Sequence, residues 1–204
     1  MMRQGNLYFG LVLCFLIYMG RISAATYNVP TDFYSIQAAI DFSTTNGDTI
    51  LVANGIYDEN LNITVADYNN SRHVILIGED RDSTIINGYN TAGLSVIKFD
   101  NYSQSVLSGF TIKSDGYNSQ SASEGGGIYC DLNSKPTLEN LIISDNHATE
   151  KGGGIYLHYS DAIIENVIIK DNTAQSKGAG IYINNSQPTI SHVTIHDNYS
   201  DYYM

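Results

Sequence analysis

The fold is decided by three copies of one short block: Gly125-Gly126-Gly127-Ile128-Tyr129, Gly152-Gly153-Gly154-Ile155-Tyr156 and Gly178-Ala179-Gly180-Ile181-Tyr182. The copies are 27 and then 26 residues apart. A second block recurs at spacings of 26 residues: Ile143-Ser144-Asp145-Asn146, Ile169-Lys170-Asp171-Asn172 and Ile195-His196-Asp197-Asn198. A period in this range indicates supersecondary units stacked along one axis.

The residues of each unit predict strands and turns. Glycine triplets, asparagines and β-branched residues are poor helix formers, and the apolar residues show no helical period. Side chains alternate between the two faces of a strand, so Ile128, Cys130 and Leu132 are predicted to face inward and Tyr129 outward. The second half of the unit predicts three more inward columns: Leu138/Ile164/Ile190, Leu141/Val167/Val193 and Ile143/Ile169/Ile195. These columns are three and then two residues apart, so the alternation of inward and outward side chains is interrupted once in each unit. The interruption predicts bends at Glu139-Asn140, Glu165-Asn166 and Ser191-His192.

Coils of this kind stack into a parallel β-solenoid, an all-β fold. Three asparagines, Asn146, Asn172 and Asn198, are then predicted to form a structural stack that satisfies buried turn amides from coil to coil. The earlier strands are predicted at residues 49–52, 73–77, 84–86 and 107–112, the last aligned with residues 138–143.

A short amphipathic helix is predicted before the first coil. Its apolar residues are Ile36, Ala39 and Ile40, and Thr31 or Asp32 is the expected N-cap. Such a helix would cover the first coil, which would otherwise present an unpaired edge.

The opening segments resemble a known superfamily. They are similar to the start of right-handed parallel β-helix proteins of the pectate-lyase-like superfamily, pectin methylesterases among them: residues 36–40 (IQAAI), 47–52 (GDTILV) and 55–60 (GIYDEN). The later repeats resemble those of polymorphic outer-membrane proteins and related adhesins, with Ile143, Ile169 and Ile195 where that family favours Phe. The resemblance implies a right-handed parallel β-helix. It leaves the activity open, because this superfamily includes lyases, hydrolases, esterases and non-catalytic surface proteins.

Residues 1–25 are predicted to be a cleaved signal peptide, and residues 26–204 the β-helix domain. Arg3 precedes an apolar run, residues 7–19, that is short for a bilayer span, and Ser23 and Ala25 are small residues at the predicted cleavage site. An uncleaved anchor is the alternative. We therefore expect a secreted or outer-cell-surface protein that is not membrane-embedded after cleavage. Because the last repeat ends at Asn198 without a second capping helix, we also expect the domain to be incomplete at its C-terminus.

The charge of the chain disfavours nucleic acid as a partner. Ten basic and 21 acidic residues give a formal charge of −11, and removal of residues 1–25 makes it −13. Such a protein repels a phosphate backbone. Only Cys130 remains after cleavage, so packing and hydrogen bonds must hold the domain together without an internal disulfide. The oligomeric state is left open.

The candidate catalytic residues are the recurring Asp145, Asp171 and Asp197, with Lys170 beside them. A lyase or hydrolase needs carboxylates at a defined separation and a base. Recurrence in every coil favours a role in turns instead, and the glutamines and arginine that pectin methylesterases use have no counterpart here. No metal site is predicted. Calcium is expected only if the ligand is an acidic polymer, because bridging cations would then have to join it to this acidic surface.

The candidate binding residues are Tyr129, Tyr156 and Tyr182, predicted to form an outward strip on which sugar rings could stack. The alternative is that these rings only pack on one another. The leading hypothesis is a secreted or cell-surface repeat domain, non-catalytic, that binds a polysaccharide or a host-cell glycan like an adhesin or serves as structure. The alternative is a polysaccharide lyase or carbohydrate esterase acting on an acidic glycan such as pectin.

Overall fold

The computed structural model of the chain describes residues 23–64, 73–88, 93–114 and 122–200. The predicted signal peptide lies outside these ranges except for its last three residues, so its cleavage stays a prediction. The elements follow in the order β1 (Thr26–Val29), α1 (Ile36–Phe42), β2 (Asp48–Val52), β3 (Gly55–Asp58), β4 (Leu61–Thr64), β5 (Val74–Gly78), β6 (Thr84–Asn87), β7 (Ile97–Asp100), β8 (Val106–Ser108), β9 (Thr111–Lys113), β10 (Ile128–Cys130), β11 (Thr137–Ser144), β12 (His147–Ala148), β13 (Ile155–His158), β14 (Ile163–Lys170), β15 (Thr173–Ala174), β16 (Ile181–Asn184), β17 (Thr189–Ser191), β18 (Thr194–His196) and β19 (Tyr199–Ser200).

The strands form a parallel β-solenoid of about six turns, which confirms the predicted fold class. The first face stacks β1, β2, β5, β8, the first halves of β11 and β14, and β17. The second face stacks β3, β6, β9, the second halves of β11 and β14, and β18. The third face stacks β4, β7, β10, β13 and β16, and a corner ladder joins β12, β15 and β19. Each complete coil in the described ranges therefore contributes one strand segment to each of three faces around a shared core.

The sequence repeat sets the register of the strands, because equivalent residues of successive repeats pair with one another. Ile128, Ile155 and Ile181 are partners across neighbouring strands of the third face. The alignment across 31 residues also holds, because Leu107 pairs with Leu138 and Ile112 pairs with Ile143. Both predicted alignments are confirmed.

The predicted bends are confirmed as well. Asn140, Asn166 and His192 have φ of 51°, 54° and 52°, the left-handed region. Asparagine and histidine enter this region more readily than most side chains. The reversed alternation after each bend then keeps both halves of β11 and β14 facing the core.

The inward columns form the core. Leu138, Leu141 and Ile143 and their partners one coil on, Ile164, Val167 and Ile169, are all buried. The prediction that Leu132 faces inward is wrong: Leu132 is 48% exposed, because β10 ends at Cys130 and the backbone at Leu132 turns with φ of 48°. In the last described coil, Ile190 and Ile195 keep the register of their columns but are 44% and 52% exposed. Cys130 itself is a buried free thiol, and burial raises its pKa.

Helix α1 covers the first coil as predicted, with Ile36, Ala39 and Ile40 buried. The predicted N-cap is wrong. Ser35 caps the helix by accepting a hydrogen bond from the Ala38 amide, while Asp32 accepts from the backbone and side chain of Asn28 and so belongs to the preceding turn. Within the described residues no helix has the length and apolar character that a bilayer crossing requires.

Candidate functional site

A straight column of outward side chains runs along the third face, with one residue from each of its five strands. Asn62 pairs with Lys98, Lys98 with Tyr129, and the register continues through Tyr156 to Tyr182. Because strands of a parallel ladder lie about 4.8 Å apart, neighbours in this column are in contact. The column therefore brings the three predicted binding tyrosines together with a lysine and an amide.

The tyrosine strip, residues Tyr129, Tyr156 and Tyr182, is a stack of parallel rings. Adjacent ring centroids are 5.4 and 5.5 Å apart, with interplanar angles of 6° and 7°. Each ring stands upright on the sheet, so its faces meet the next rings and Tyr156 is only 2% exposed. The predicted surface for sugar stacking takes a different form, because the ring faces are covered by neighbouring rings, and of the three tyrosines Tyr129 and Tyr182 are partly exposed whereas Tyr156 is buried.

Two lysines lie against the strip. Lys98 Nζ is 5.8 Å from the Tyr129 ring centroid, and Lys151 Nζ is 5.8 Å from that of Tyr182. Cations at this distance from an aromatic ring are attracted by its quadrupole. The strip is thus held by ring contacts and by cations near both outer members.

Asp131 connects the strip to a histidine. Its Oδ2 accepts a 2.9 Å hydrogen bond from the Tyr129 hydroxyl, and its Oδ1 lies 2.9 Å from His158 Nδ1. Partial burial raises the pKa of the Tyr129 phenol, and the hydrogen bond to the Asp131 carboxylate raises it further. The sequence prediction missed this pair, since the column two residues after each tyrosine reads Asp131, His158 and Asn184 and shows no repeat.

A groove opens beside Tyr129, on the side of the strip that leads to the earlier coils. Its volume is about 410 Å³. The residues that line this Tyr129 groove are Asn60, Leu61, Asn62, Gly93, Leu94, Ser95, Lys98, Ser123, Glu124 and Tyr129. Side-chain amides, hydroxyls, one ammonium, one carboxylate and one phenol thus surround a single concavity.

The amide of Asn60 is only partly used. Its Nδ2 donates to the Ser95 carbonyl at 2.9 Å, whereas its buried Oδ1 has no hydrogen-bond partner among the described residues. A buried acceptor without a donor is costly, so such an atom is normally bonded to water or ligand. The sequence prediction missed the groove because its residues come from three coils that share no motif.

The aspartates proposed as catalytic lie elsewhere, at the turn that follows the second face. Asp145, Asp171 and Asp197 are exposed and have φ of 57°, 55° and 53°. Lys170 pairs in register with Ser144 and His196, as the spacing predicted, and its Nζ lies 3.3 Å from Asp171 Oδ2. Left-handed backbone explains why a short polar residue recurs there. Their catalytic role stays a prediction.

The three predicted structural asparagines form a continuous ladder beside these aspartates. Asn172 Nδ2 donates to the carbonyls of Ile143 and Lys170 and to Asn198 Oδ1, at 2.8 to 2.9 Å. Asn172 Oδ1 in turn accepts from the backbone and side-chain N–H groups of Asn146. The ladder therefore bonds three successive coils through side chains in the core.

A metal site is not found in the described parts of the chain, where no three His, Cys, Asp or Glu side chains converge. His192 Nδ1 is 3.9 Å from Glu165 Oε1, and His196 Nδ1 is 2.6 Å from Asp197 Oδ2. Both histidines are therefore beside single carboxylates.

The family model described as a right handed beta helix region matches residues 54–203. A search of curated proteins finds no match. Among solved structures, the chain is similar to pectin methylesterase PemA from Erwinia chrysanthemi, at 15% identity and a TM-score of 0.49, over 79% of this chain and 64% of that one. A pectin methylesterase in complex with a hexasaccharide matches at 15% identity and a TM-score of 0.47, over 76% of this chain and 56% of that one. The chain thus spans less than two thirds of the length of either structure.

Proposed function

Because this chain belongs to the right-handed β-helix family, we propose that it is an exported repeat domain that binds carbohydrate without transforming it. The binding surface is the Tyr129 groove together with the outward edge of the tyrosine strip. The observation that carries the proposal is the groove itself, a concavity of about 410 Å³ lined by amides, hydroxyls and a phenol.

The groove offers the chemistry that sugar hydroxyls require. Side-chain amides of Asn60 and Asn62 and the hydroxyls of Ser95 and Ser123 both donate and accept hydrogen bonds. The edge of Tyr129 and the exposed Leu94 add apolar contact for the C–H faces of a sugar ring. A saccharide chain lying along the third face would then pass from the groove onto the partly exposed edges of Tyr129 and Tyr182.

Binding to glycans tests the proposal directly. The full chain is applied to a glycan array, and the affinity of the strongest ligand is measured by calorimetry. The double variant Asn62→Ala/Lys98→Met is expected to bind that ligand at least tenfold more weakly. Absence of binding to every glycan on the array overturns the proposal.

The control is Lys135→Met. Lys135 is also exposed and also paired with an aspartate, Asp161, at 3.5 Å, but it lies at the corner between β10 and β11. Its replacement is expected to leave the affinity unchanged. An equal loss in both variants would show that binding depends on overall charge and not on the groove.

The same preparation distinguishes binding from turnover. It is incubated with polyuronides while unsaturated products and released methanol are followed. Turnover that Asp171→Asn abolishes would replace the proposal with a lyase or an esterase.

Export is tested by expressing the chain with its own N-terminus and measuring the mass of the secreted product. The expected product begins at residue 26. Retention of the chain inside the cells overturns this part of the proposal, and a secreted product that keeps residues 1–25 contradicts the predicted cleavage.

A further inference from the structure

The charged groups around the Tyr129 groove are already paired, and we infer that the groove selects uncharged sugars over uronic acids. This inference rests on the proposed function and adds the class of ligand. It follows from three features of the groove: its cation, its carboxylate and its unpaired acceptor.

The cation of the groove is Lys98. Its Nζ lies 2.7 Å from Asp100 Oδ2, and Asp100 is only 8% exposed. A uronate that paired with Lys98 would have to compete with this carboxylate. Asp100 would then keep the Asn101 amide as a donor and lose its ammonium partner. Leaving a largely buried carboxylate without its counter-ion is unfavourable.

The carboxylate of the groove is Glu124. It lies 3.4 Å from Lys151 Nζ, and Lys151 is also 3.9 Å from Glu150. Partial burial lowers the pKa of Lys151, but the hydrogen bond and charge of Glu124 outweigh burial, so the pKa is raised overall. Lys151 thus remains an ammonium engaged by acidic groups. A uronate entering the groove would meet the negative charge of Glu124.

The hydrogen-bond acceptors of the groove favour a ligand that carries hydrogen-bond donors. Asn60 Oδ1 is buried and has no partner in the part of the chain that the structure describes, and Glu124 adds carboxylate oxygens. A sugar hydroxyl can donate to either acceptor, whereas an ionised uronate carboxylate only accepts. The chain's formal charge of −11 acts in the same direction by repelling polyanions before contact.

The test uses pairs of oligosaccharides of equal length that differ only in carboxyl groups. The pairs are gluco- and glucurono-oligomers, methyl-esterified and free galacturonan oligomers, and xylan oligomers without and with glucuronic acid. Affinities are measured with the full chain at low salt. In every pair that binds, the neutral member is expected to bind at least tenfold more tightly.

A charge variant sharpens the test. Asp100→Asn keeps an acceptor for the Asn101 amide and releases Lys98. The ratio of the affinities for the neutral and the carboxylated member of a pair should therefore fall at least threefold. Equal or tighter binding of the carboxylated members by the unmodified chain overturns the inference and leaves the proposed function standing. No binding of any glycan, in these pairs or on the array, overturns both.

Discussion

The same repeat residue has a different environment in a covered coil and in the last described coil. Asn172 is fully buried, but its counterpart Asn198 is partly exposed. Ile169 is fully buried, whereas Ile195 is 52% exposed. The residue type is the same in each pair, but the two members have different neighbouring coils. In a solenoid the contribution of a side chain is therefore decided by whether a further coil packs over it.

The Asn ladder should show the largest difference. Asn172→Ala removes the donors to the Ile143 and Lys170 carbonyls and the acceptor of two Asn146 N–H groups. Several polar groups then stay buried without partners, at about 1–3 kcal/mol each. We expect a loss of about 4 kcal/mol or more in the free energy of unfolding, measured by urea denaturation.

The matched change is Asn198→Ala. Asn198 donates to the Ile169 and His196 carbonyls and accepts from the backbone and side-chain N–H groups of Asn172. Its side chain is partly exposed in the last described coil, so water can replace much of this bonding after truncation. We expect a smaller loss, of about 1–2 kcal/mol. Equal losses at Asn172 and Asn198 would contradict the dependence on covering neighbours.

The core isoleucines test the apolar part of the comparison. Ile169→Ala empties a site enclosed by coils on both sides, and such truncations cost about 2–5 kcal/mol. We expect about 3 kcal/mol for Ile169→Ala and less than about 1 kcal/mol for Ile195→Ala in the same denaturation experiment. A loss at Ile195 as large as at Ile169 would mean that the last coil is covered in solution.

The glycine column supplies a third pair. A Cβ at Gly153 would lie 2.4 Å from the Thr173 carbonyl oxygen and 2.5 Å from that of Ala179 in the next coil. The third copy of the block carries Ala179 at the equivalent position. We expect Gly153→Ala to lower the midpoint of thermal unfolding through a loss of about 2–3 kcal/mol. Ala179→Gly is expected to change stability by less than about 1 kcal/mol, and a larger loss would contradict the comparison.

The sequence predicted the repeat-dependent features well. The coil length, the inward columns, the bends at Asn140 and Asn166 and the Asn ladder all follow from residues that recur, because stacking puts recurring residues in one column. The unique features were missed or misplaced. The true N-cap, Ser35, was overlooked in favour of Asp32, since several side chains near the helix start can cap it and tertiary contacts decide.

The candidate site was predicted only in part for the same reason. The tyrosines recur, so their column was evident, but a period cannot give ring orientation. Asp131 and His158 come together across two coils without a shared motif. The Tyr129 groove likewise combines Asn60, Lys98 and Glu124 from successive coils, and only the folded chain brings them together.

The smallest expected effect separates two members of the tyrosine strip. Tyr129 donates to Asp131, whereas Tyr182 is in the last coil, where the residue two positions on is Asn184. Loss of one such hydrogen bond costs about 1 kcal/mol. We expect Tyr129→Phe to cost about 1 kcal/mol at pH 7 and Tyr182→Phe to cost less, by urea denaturation.

The pH dependence gives Tyr129→Phe a signature that a change in packing alone would lack. The pKa of Tyr129 is higher in the folded chain than its ordinary value of 10.0, because burial and the Asp131 carboxylate disfavour the phenolate. A group whose pKa rises on folding contributes its stability fully below the unfolded pKa and loses it as the pH rises toward the folded one. Above pH 10 the unmodified chain should therefore lose stability more steeply than Tyr129→Phe. The buried Cys130 thiol adds to the alkaline slope of both proteins, so the difference between them isolates the phenol. Parallel slopes would show that in solution the Tyr129 phenol is neither shielded from water nor held by Asp131.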